Sequence, residues 1–138
     1  MIKNLKLAAL SLDGKPVKEQ SSNINQLIPT LKNFSLSWLE FVVDNVQSES
    51  KEIIKQFGIT LDPSVVLGGY YSNYEDEGDV LGITIPLIYF SGGTVDPSPV
   101  LIYISKNNII SIQDENVEKL LRLSNFSDGI MKKLLQSK

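Results

Sequence analysis

The chain has 138 residues, 42% of them hydrophobic and 21% charged, a balance that suits one folded domain and excludes a disordered segment. Its net charge is −3 and its pI about 4.9. No Lys/Arg stripe interrupts that acidity, so a nucleic-acid partner is excluded. Cysteine and histidine are absent, which removes disulfides, thiolate nucleophiles, Cys/His zinc sites and imidazole acid–base chemistry.

Leu5–Leu12 reads as a strand, Asp13-Gly14 as a hairpin turn and the residues after it as a returning strand. Pro16 puts that return at a sheet edge. From Ser22 or Asn23 a helix begins, with Ile24, Leu27, Ile28 and Leu31 on one face. Pro29 predicts that it is short or broken. Leu36–Asp44 is β-branched and aromatic and reads as a strand buried on both faces. A helix capped by Ser48 follows, with Ile53, Ile54 and Phe57 apolar and Gly58 as its left-handed stop. Asp62 and Pro63 open a very short helix that Gly68-Gly69 ends.

Val80–Phe90 is a long strand with Pro86 at a bulge or edge. Its apolar run is well short of the ~20 residues of a membrane-spanning helix. Ser91–Pro99 reads as a loop of turn residues. Val100–Gln113 reads as a hairpin around Lys106-Asn107-Asn108. Asp114 caps a helix carrying Val117, Leu120, Leu121 and Leu123, and an amphipathic stretch runs from Ser127 to Leu135. The succession predicts an α/β (α+β) fold: one domain over 1–138, a mixed parallel/antiparallel sheet with helices packed on it.

The densest chemistry is "YYSNYEDEGD", where Glu75, Asp76, Glu77 and Asp79 crowd together. An EF-hand loop needs a glutamate at its twelfth position, which here falls in an apolar strand. A glycosidase needs two carboxylates on separate elements. The reading that remains is a solvated turn whose charge protects the next strand's edge, with a weak divalent-cation site as the alternative. Gly92-Gly93-Thr94 lacks the Gly-Lys-Ser/Thr of a phosphate loop. Trp38 lies in an apolar strand and reads as core.

The ordered set of segments resembles the N-terminal cytoplasmic domain of CorA-type magnesium transporters. "SWLEF" matches that family's Trp-bearing strand, and "KQFGI" the Phe-Gly end of its next helix. "DPSVVLGG" matches its short helix, "NYEDEGDVLGITIPL" the charged entry to its long strand, and "YISKNNIISIQD" its hairpin. Together they cover roughly Trp38 to Leu123. The resemblance implies a regulatory rather than enzymatic domain at the cytoplasmic face of the cell membrane. It implies assembly with other copies of the chain, pentameric in the full-length family. Membrane contact would come only through a region beyond Lys138, because the family's Gly-Met-Asn filter, stalk helix and membrane helices are not in this sequence. The family often has acidic residues where this chain has Gly68 and Gly69. Any Mg²⁺ site here must therefore use Asp62, Glu75, Asp76, Glu77 or Asp79, binding is expected to be weak, and no cofactor is required. A freestanding regulatory domain of the same fold is the alternative.

Overall fold

The computed structural model describes residues 2–21, 23–67, 73–76, 78–91 and 94–115. The helices predicted after Asp114 lie outside the described residues. The chain opens with a hairpin, β1 (Ile2–Ser11) and β2 (Pro16–Ser21). Gly14 turns it at φ 85°, a conformation glycine adopts without a Cβ penalty. Helix α1 (Ile24–Leu27) is capped by Asn23, whose side chain accepts from the Asn25 N–H. It tightens at once into a 3-10 helix, Ile28–Asn33, with Pro29 in its first turn. The predicted break is thus present, and Pro29 sits where its missing N–H costs least.

β3 (Phe34–Val43) leads to α2 (Val46–Lys55). Asn45, not Ser48, is the N-cap. Asn45 Oδ1 accepts from the Ser48 N–H at 3.0 Å, and Glu49 Oε2 accepts from the Asn45 N–H at 2.7 Å. This reciprocal pair satisfies two orphan donors, which a serine already one turn into the helix cannot do. Gly58 stops the helix at φ 71°. α3 (Pro63–Leu67), β4 (Asn73–Asp76), β5 (Leu81–Ser91), β6 (Thr94–Ile104) and β7 (Asn108–Asp114) complete the described chain.

The seven strands form one mixed sheet, ordered β2-β1-β3-β7-β6-β5-β4. Among the described residues only β3 and β7 run parallel, and every other pair is antiparallel. β2 lies at the edge, as Pro16 requires. Two expectations are corrected. Asn73–Asp76, read as turn, is the opposite edge strand. Thr94–Pro99, read as loop, is the first half of β6. Composition misled there because Pro97 and Pro99, like Pro86 on β5, occupy positions that tolerate them. Pro86 pairs with Pro99, and Pro97 pairs with Ile88. β4 reaches only to Thr84 and β7 only to Leu101. All three prolines therefore sit on a two-stranded ribbon beyond those neighbours, at alternate positions where an N–H would point away from the paired strand.

Strand alternation sorts the core onto two faces. One face carries Leu5, Leu7, Leu39, Phe41, Ile110, Ile112, Leu101 and Tyr103, packed with Leu27 of α1, Ile53 and Ile54 of α2, and Val66 of α3. The Phe41 and Phe57 rings meet edge to face at 6.2 Å. The other face buries Ala8, Leu10, Leu36, Trp38 and Ile109, together with a polar strip. Trp38 Nε1 donates to Ser111 Oγ at 3.2 Å, and Gln113 Nε2 donates to Glu40 Oε1. Glu40 and Gln113 are both buried, and Lys6 stands directly opposite Glu40 in register. A buried carboxylate needs such donors to be tolerated.

The position of α3 depends on Gly82. A Cβ there would lie 2.8 Å from Val66 Cγ2 and 3.0 Å from Leu61 Cδ2. Two buried bonds hold the same approach: Thr84 Oγ1 donates to the Val66 carbonyl at 2.7 Å, and the Tyr103 hydroxyl to the Leu61 carbonyl at 3.0 Å. Gly82→Ala should cost about 1–3 kcal/mol of stability in urea unfolding, the usual range for overpacking. Adding Val66→Ala should make the double variant less destabilised than the sum of the two singles. On the other face, Trp38→Phe should cost about 1–3 kcal/mol through its lost bond to Ser111. Because Trp38 is the only tryptophan, wild-type fluorescence should be blue-shifted when native and move red in a single transition on unfolding.

Candidate metal centre

Asp62 precedes α3 and caps it. Its Oδ1 accepts from both the backbone N–H and the hydroxyl of Ser64, each at 2.9 Å. The Ser64 backbone bond chiefly, then its hydroxyl and the charge of Lys51, hold the carboxyl below its usual range. This is the chemistry of an N-cap, and one carboxylate oxygen is already committed to it.

The acidic cluster divides. Glu75 and Asp76 belong to β4, paired with Gly82 and Leu81. Asp79 is exposed in the bend after Gly78, which has φ 80°. Glu77, Gly68 and Gly69 lie outside the described residues. Among the described residues no three acidic side chains converge to hold a metal ion. β4 is the outermost strand of the described sheet, the position at which charged residues discourage strand addition by another chain.

A charge cluster that the sequence did not disclose lies where β3 and β7 end. Lys3 Nζ reaches Asp44 Oδ1 at 3.2 Å and Glu115 Oε2 at 3.1 Å. Hydrogen bonds to Glu115 and then to Asp44 raise the Lys3 ammonium pKa, and the bond to Lys3 lowers that of the Asp44 carboxyl. All three are exposed, so salt screens them. Residues so far apart in sequence meet only through the β1–β3–β7 pairing, and no local pattern announces them.

The sign of the pH dependence follows. Asp62 and Asp44 have lowered pKa values, so their contribution is present above the unfolded value near 4 and is lost as pH falls through the folded value. Lys3 has a raised one, so its contribution is present at neutral pH and lost as pH rises through the folded value above ~10. Asp62→Ala should lower the Tm at pH 7, Asp62→Asn should restore most of the loss, and the gap between wild type and Asp62→Ala should narrow by the smaller, charge-dependent part as pH falls through the lowered Asp62 value. Thermal scans with and without millimolar Mg²⁺ should show the same gap, since the role is a cap.

Neither a protein-family model nor a curated protein matches the chain. Solved structures do. The complete structure of the CorA magnesium transporter from Methanocaldococcus jannaschii superposes with a TM-score of 0.60 at 19% identity, covering 91% of this chain and 37% of that one. The soluble domain of CorA from the same organism gives 0.59 at 17% identity, covering 91% of this chain and 46% of that one. The chain thus spans less than half the length of either. Among the described residues no helix is long and apolar enough to cross a membrane. At these identities the likeness is one of fold, and this chain has the fold of a CorA soluble domain over nine-tenths of its length.

Proposed function

We propose that this chain is a regulatory domain of a CorA-like divalent-cation transporter, acting at the cytoplasmic face of the membrane, without enzymatic activity and not itself conducting ions. The observation that carries this reading is the fold match across 91% of the chain to a magnesium transporter, in the family that the ordered sequence segments resemble. In this reading the domain contributes to assembly with further copies of itself and to metal-dependent gating. A bound ion shifts a gating equilibrium only by its difference in affinity between the open and closed states. In this reading the domain binds such an ion weakly, which the capping role of Asp62 Oδ1 supports.

Reading the native gene past the Lys138 codon tests the assignment. The expected result is an open frame encoding a long charged helix, two apolar segments and Gly-Met-Asn. A stop codon would overturn it in favour of a freestanding domain of the same fold. Titration calorimetry of the isolated domain should give millimolar or no Mg²⁺ binding, and a micromolar site would refute the weak-binding expectation.

A further inference from the structure

Between the start of β1, helix α1 and helix α2 lies an open groove of about 300 Å³. Ile2 and Ile24 form one wall, both only half-buried, and Ile53 lies at its floor, 3% exposed. The other wall is a single stripe of α2, where Glu49, Glu52, Ile53 and Gln56 recur at i, i+3, i+4 and i+7. Glu49 is held in place by its bond to the Asn45 N–H. Glu52 is exposed and makes no ion pair among the described residues. The lining carries two carboxylates and no lysine or arginine. Its size is at the bottom of the range for small-molecule sites, room for one or two inserted side chains.

We propose that this groove docks an amphipathic helix of a partner protein, which inserts an aliphatic side chain among Ile2, Ile24 and Ile53 and sets a Lys or Arg against Glu52. The apolar floor supplies the anchor and the acidic rim selects the sign of the flank, the division of labour of helix-in-groove recognition. The site is distinct from the carboxylates considered for metal and does not depend on the transporter reading.

The test is an amide-resolved NMR titration of the full chain with a helical leucine–lysine peptide and its leucine–glutamate counterpart. The expected result is saturable shifts centred on Ile2, Ile24, Ser48, Ile53 and Gln56 with the basic peptide alone. Glu52→Lys should weaken that binding three- to fivefold or more. Glu19→Lys on β2, an equal change in net charge, should leave it unaltered. Both substitutions are at exposed positions, and an unchanged amide spectrum away from each site will show that the variants are folded. No binding, shifts spread over the whole acidic surface, equal binding of the acidic peptide, or equal weakening by Glu19→Lys would each overturn the proposal.

Discussion

The parallel pairing of β3 with β7 is the constraint on which the rest of the architecture depends. It joins residues about seventy positions apart, Ser37 with Asn108 through to Val43 with Asp114, and so sets two antiparallel blocks side by side. On one flank stand β1 and β2, on the other β6, β5 and β4. A parallel pair needs a crossover, and the segment between these strands contains α2, α3 and the three strands β4, β5 and β6. The pair is also where both faces of the sheet are buried, with Phe41 and Ile112 on one side and Trp38, Ser111 and Gln113 on the other. Its loop-closure entropy must be met before these contacts form, so it belongs late in folding rather than early.

Around that pair the two faces solve different problems. The helical face is aliphatic and aromatic, and its finest tolerance is the approach of α3 to Gly82. The opposite face buries a carboxylate and an amide among apolar neighbours. Gln113 and Ser111 are presented by β7, Glu40 and Trp38 by β3. A slip of one residue between these strands would turn the polar side chains of one strand to the face opposite those of the other, parting Gln113 from Glu40 and Ser111 from Trp38. The polar strip therefore penalises wrong registers, a specificity that aliphatic contacts alone supply weakly.

Much of this was legible in the residues. The Asp13-Gly14 hairpin, the helix broken at Pro29, the doubly buried Trp38 strand and the Asn107-Asn108 hairpin each follow from local chemistry. What was not legible had non-local causes. Turn-forming composition in Thr94–Pro99 concealed a strand because the prolines' tolerance depends on which neighbours fall short of them. Asn73–Asp76 is a strand only because β5 offers it an open edge. Asn45 outcompetes Ser48 as cap because Glu49 returns its bond. At the candidate site, Asp62 was correctly placed at the start of its helix, but nothing in sequence said whether it would meet the carboxylates of β4. The Lys3–Asp44–Glu115 cluster had no local signal at all.

The proline-bearing ribbon divides the sheet into two regimes of solvent exchange. Amide protons of β3 and β7 are locked between strands on both sides and within two buried layers. Their deuterium uptake must wait for global opening. Among the described residues, those between Leu87 and Ser91 pair with β6 alone. An isolated two-stranded ladder is only marginally stable in water. The same long strand β5 thus runs from an interior that keeps time with the whole molecule to a tip that keeps its own.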